Sequence, residues 1–134
     1  MAGMASAAVL SLAGCAAFER KLAAIRADPM SGWVPRGMVS EERSESPAGT
    51  GGGIAGGSAS ASLVRFLLLP DPASADSARK AAAAAATSNG WAPQTLDYPR
   101  VDVFTKNLGN FGGTLHISIS PRSDSALVIY ISNG

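Results

Sequence analysis

His116 is the only histidine of the chain, and hydroxyls follow it at alternate positions, Ser118 and Ser120. A histidine that takes a proton from a serine, and is itself oriented by a carboxylate, creates a nucleophile for acyl transfer. Asp102 or Asp124 would be the carboxylate. The spacing does not support that constellation, because no G-x-S-x-G elbow is present to expose a strained serine. His116 therefore reads as a strand residue on a wet face. Zinc needs several His or Cys ligands, and this chain has one of each. Calcium needs clustered oxygens; Asp97 and Asp102, which flank a strand start, are too sparse. No metal or cofactor is expected, and no catalytic residue is assigned.

Other chemistry-bearing residues divide the same way. Glu41, Glu42 and Glu45 are acids that could act as a pair, but they adjoin a flexible stretch that would not hold them rigidly. Gly51, Gly53 and Gly56 spell G-x-G-x-x-G. That fingerprint needs a buried strand before it and a helix after it, whose N-terminus takes the phosphates. Polar residues precede it here and an apolar strand follows, so it reads as loop. Trp33 and Trp91 are the best binding candidates with His116, since tryptophan is enriched at interface hot spots. It is also a large core residue, and aromatics make up only 6% of this chain.

Charge excludes one class of partner. Eleven basic and ten acidic residues leave a net charge of +1. No basic run exceeds the pairs Arg20-Lys21 and Arg79-Lys80, whereas a nucleic-acid binder carries a basic patch or stripe.

The lone Cys15 closes the sequence Leu12-Ala13-Gly14-Cys15, behind a short apolar tract, Met1 to Leu12, that holds no charged side chain. This stretch resembles a bacterial lipoprotein signal. The resemblance implies cleavage before Cys15 and acylation of its thiol, with small Ala13 and Gly14 giving a peptidase access to the backbone. Residues 1–14 are then a signal peptide, although its start lacks the usual Lys or Arg. A buried cysteine in a terminal helix is the other reading. A membrane span is not expected, because the apolar run ends at Glu19, short of the ~20 residues required. Each buried CH₂ of an acyl chain contributes about 0.8 kcal/mol, so two chains would anchor the protein stably.

These residues need a scaffold. Phe18, Leu22 and Ile25 form one apolar stripe at helical spacing, which predicts a short helix over Ala16 to Asp28, stopped by Pro29. Residues 15–30 read as a tether with this helix, and 31–134 as a single domain. A first, irregular strand is expected over Trp33 to Arg43, followed by a Gly/Ser-rich loop over 44–60. Leu63 to Leu69, nearly all apolar, reads as a central strand covered on both faces or nearly so. Asp71, Pro72 or Ser74 starts an alanine helix that runs to Ser88, with Gly90 just beyond its end. Pro93 to Pro99 is a connector. Strands are expected over Val101 to Thr105, around Leu115 to Ile119 and over Ala126 to Ser132, as a meander.

The order β-β-α-β-β-β predicts an α+β two-layer sandwich: an antiparallel sheet of about five strands with one long helix on one face. With its leader, this layout resembles small uncharacterised lipoproteins of actinobacteria. "DPMSGWVPRG" (Asp28 to Gly37) and the alanine helix closing on "NGW" (Asn89 to Trp91) carry the likeness. The resemblance implies a lipid-anchored protein on the extracytoplasmic face of the cell membrane, a non-catalytic accessory or binding module for an envelope protein or cell-wall component. The alternatives are a cytosolic interaction domain that keeps its N-terminus, and a small enzyme with an unrecognised site.

Overall fold

A computed structural model describes residues 16–46, 60–95 and 100–133. Within them the chain forms helix α1 (Ala16–Ala27), a 3-10 turn (Pro29–Ser31), strands β1 (Ser40–Ser46) and β2 (Ala61–Leu68), and helix α2 (Pro72–Ser88). Strands β3 (Ala92–Gln94), β4 (Val101–Leu108), β5 (Phe111–Ile119) and β6 (Ala126–Asn133) follow. The strands make one sheet in the order β1-β2-β6-β5-β4-β3, with every neighbouring pair antiparallel. The architecture is mixed α+β.

Helix α2 follows from local chemistry. Asp71 caps it, its carboxylate accepting from the Ser74 amide at 2.7 Å, and Pro72 occupies the first turn. Alanine has the highest helix propensity. Ala75, Ala78, Ala82 and Ala86 are buried, and their small side chains let the helix lie close on the sheet. Gly90, at φ +92°, ends it in a left-handed conformation that an L side chain rarely adopts. The Gly90 amide donates to the Thr87 carbonyl and the Trp91 amide to that of Ala86, the pair of bonds that defines a Schellman ending.

Four expectations are corrected. The connector expected over Pro93 to Pro99 begins later, because Ala92–Gln94 pairs with β4 as a sixth strand beside the about five expected. Strand β1 starts at Ser40 rather than Trp33 and runs to Ser46, so the loop is shorter than 44–60. Residues 30–33 are instead held in a turn by Asp28, which caps it, and by Arg65. A second helix, α1, shares the sheet face of α2, and its Leu22 and Ile25 join Leu63, Ile117, Ile129 and Ile131 in the core. The segment 15–30, expected as a tether with a short helix, forms that helix as α1 and contributes to the core from Leu22 onward. Finally, among the described residues β2 is covered on one face only: Leu63, Arg65 and Leu67 are buried, whereas Phe66 and Leu68 are exposed. Both helices lie on the same side, so nothing among the described residues covers the other side of β2. Cys15, the leader and the G-x-G-x-x-G stretch lie outside the described residues.

Candidate functional site

Register divides the strand residues between two faces, since directly paired residues project to the same side. The helix-covered face carries Glu41, Arg43 and Glu45 from β1, Arg65 from β2, and Asp102 and Lys106 from β4. The open face carries Ser40, Glu42, Ser44 and Ser46 from β1 beside Ser62, Val64, Phe66 and Leu68 from β2. Further across lie Ala126, Val128, Tyr130 and Ser132 from β6, then Thr114, His116 and Ser118 from β5. Strands β4 and β3 close the face with Val101, Val103, Thr105 and Asn107, then Ala92 and Gln94.

Two polar clusters are built on the helix-covered side. In the first, the Asp28 carboxylate accepts from the Met30 amide at 2.9 Å, from the indole N–H of Trp91 at 3.0 Å and from Lys106 Nζ at 2.5 Å. Lys106 also donates to the Asn89 carbonyl at 2.7 Å and lies 5.7 Å from the centre of the Trp91 ring. In the second, Arg65, fully buried, donates through Nε and Nη2 to both oxygens of Glu41, and through Nη1 to the carbonyls of Met30 and Trp33. Its hydrogen bond holds the Glu41 carboxyl below the usual range. Arg26 does the same for Glu45 through a two-pronged pair. In both clusters these donors and acceptors bond one another and tie separate parts of the chain together.

The residues singled out from the sequence do not come together. Trp91 is 1% exposed and its N–H is committed to Asp28, so it packs in the core rather than offering a surface for binding. Trp33 is half-buried against the core, and its carbonyl anchors Arg65. His116 lies on the open face, its ring tilted at 52° and 5.7 Å from that of Tyr130. Asp102 points to the opposite face, where it pairs with Arg79 at 3.1 Å, and Asp124 lies in the β5–β6 turn. The Ser-His-Asp geometry is therefore not formed with either acid. Ser120 is buried, its hydroxyl accepting from the Arg122 amide in that turn. Among the described residues no group of three or more His, Cys, Asp or Glu could hold a metal ion, and no helix is long and apolar enough to cross a membrane.

Two clefts remain. One, of about 450 Å³, lies beside the first turn of α2 between Arg36, Asp71, Ser74 and Ser77; the carboxylate of Asp71 already takes the helix-end amide. The other, about 230 Å³, is lined by Arg79, Gln94, Arg100 and Asp102. Arg100 adopts φ +66° and the Nε of Arg79 is buried without a partner, yet Asp76 and Asp102 already balance the Arg79 charge. Sequence reasoning missed Arg65, Asp28 and Lys106. An arginine inside the apolar run "LVRFLLL" was the available signal. Compared with known proteins, the chain matches no family model, no curated protein and no solved structure.

Proposed function

We propose that the protein is a lipoprotein anchored through Cys15 to the outer side of the cell membrane, and that it acts there as a non-catalytic binding or accessory module. The observation that carries this reading is the sequence Leu12-Ala13-Gly14-Cys15 behind a short apolar tract. A feature of the domain bears on it: α1 is part of the core from Leu22 onward, seven residues after Cys15. An acylated Cys15 would therefore hold the domain close to the lipid surface. The non-catalytic part of the reading draws on the placement of His116, which faces away from Asp102, and on clusters whose polar groups satisfy one another.

The test is intact mass and membrane fractionation of the chain expressed in a lipoprotein-processing bacterium, beside Cys15→Ala. Loss of residues 1–14, added lipid mass and membrane association are expected in the wild type, and all are expected to disappear in the variant. An unmodified chain starting at Met1 in the soluble cytosolic fraction would overturn the proposal and favour a cytosolic interaction domain.

A further inference from the structure

The open face of the sheet carries almost no charge. Of its described strand residues, only Glu42 is formally charged, and it stands on the edge strand β1. The charged strand residues Glu41, Arg43, Glu45, Arg65, Asp102 and Lys106 all belong to the other face. A sheet face turned to water ordinarily alternates against the core with polar and charged residues. This one instead sets a band of Phe66, Val64, Val128 and Tyr130 across its middle, with His116 against Tyr130 and small hydroxyl residues around them. Depletion of charge with enrichment in aromatics marks the centre of a protein interface.

We infer that this face is the contact surface of a symmetric dimer, its occupant the same face of a second copy of the chain. Three observations select that partner. First, a surface with no charge at its centre is complementary to itself, because stacking it on a copy buries no unpaired ion. A strongly basic partner would find only Glu42, on the edge strand, to pair with among the described strand residues. Second, the size fits. Five strands of seven to nine residues and the three-residue β3, about 4.8 Å apart, give a projected area of about 700 Å². Side-chain relief adds to that, bringing it close to the ~800 Å² per partner of a stable interface. Third, the edges are guarded while the face is not. Strand β1 carries Glu41, Glu42, Arg43 and Glu45, and β3 is three residues long with Pro93 at its centre. Short, charged or proline-bearing edges oppose edge-to-edge pairing, so two copies would meet face to face, as two stacked sheets do. The pairs Val128–Ser118 and Tyr130–His116 lie at the middle of the strand order and so fall near the two-fold axis.

Sedimentation velocity of the full chain carrying Cys15→Ser tests this, since neither lipid nor a disulfide can then join two copies. The chain is expected to sediment at twice its 13.5 kDa mass at micromolar concentration. Val128→Lys, which puts two lysines near the axis, is expected to weaken association by about 100-fold or more. Ala84→Lys adds the same charge on the exposed side of α2 and should leave association unchanged. Circular dichroism confirms that each variant is folded, and Ser118→Lys, beside Val128, replaces Val128→Lys if that variant is not. A monomer at all concentrations overturns the inference and leaves the face to a different partner. A dimer indifferent to both lysines overturns it too, by placing the contact elsewhere.

Discussion

Arg65 stands directly opposite Arg43 in the β1–β2 ladder, yet it is Glu41, its diagonal neighbour, that holds it. Like charges directly opposite one another destabilise a sheet. Glu41 relieves this by serving both arginines: Nε of Arg65 donates to Oε2 at 2.8 Å, and Nη1 of Arg43 lies 3.6 Å from the same oxygen. Because Arg65 also binds the Met30 and Trp33 carbonyls, one buried guanidinium ties β1, β2 and the turn after α1 together.

Removing the counter-ion should therefore cost more than an ordinary surface pair. Breaking a buried ion pair from one side costs about 3–5 kcal/mol. Glu41 is 19% exposed, so Glu41→Gln is expected to destabilise by about 3 kcal/mol, the lower end of that range. Arg65→Ala, which also orphans two carbonyls and leaves a cavity, should cost more. Urea unfolding of the two variants measures the order, and equal losses would contradict it.

Acid should act through the same carboxylates. Hydrogen bonds from Arg65 and Arg26 hold Glu41 and Glu45 below their ordinary value of 4.5 in the folded state. A carboxylate with a depressed folded pKa contributes stability that is fully present above its unfolded pKa and is lost as pH falls through the folded one. Thermal stability is thus expected to be flat from neutral pH to about pH 5 and to fall below pH 4. Glu41→Gln should shrink that fall, which thermal scans across pH will show.

Asp28 makes a second sharp case. Its carboxylate satisfies Met30, Trp91 and Lys106 at once, and it is buried. Asp28→Ala would leave an indole N–H and an amide without partners, at about 1–3 kcal/mol each. A loss of about 3 kcal/mol is expected. In a Trp33→Phe background, the Trp91 emission should also shift to the red. Unchanged emission would mean that the indole keeps its burial without Asp28.

Two adjacent glycines of β5 should respond in opposite ways to alanine. A Cβ on Gly113 would meet Leu108 Cδ1 at 2.7 Å and the Lys106 carbonyl at 2.9 Å, whereas one on Gly112 meets nothing within 4 Å. Gly113→Ala is expected to cost about 1–3 kcal/mol through overpacking. Gly112→Ala should be tolerated, and chemical denaturation compares them.

What could be read in advance was what neighbours in sequence decide. The caps of α2, its alanine content and the Gly90 stop are all local, and so is the alternation of Leu115, His116 and Ile117 in β5. Strand β3 was hidden because Pro93 argues against a strand and only the pairing with β4 makes one. The run "LVRFLLL" suggested a strand covered on both sides, because nothing within it says that two helices choose the same side. Trp91 could not be assigned from its surroundings in the chain, as its partner Asp28 is 63 residues away. The chemistry proposed for Cys15 rests wholly on its flanking residues.

The strand order also governs the timetable of assembly. Strand β6 follows every other strand in the chain, yet it lies in the interior of the sheet, between β2 and β5. Until it emerges during synthesis there are two fragments, β1 with β2 and the ribbon of β5, β4 and β3, and no ladder joins them. Asn133, at the end of β6, then donates to the Lys21 carbonyl of α1, 112 residues earlier. Closing contacts this distant is slow. The two paired fragments thus join into one sheet only when β6 inserts between β2 and β5.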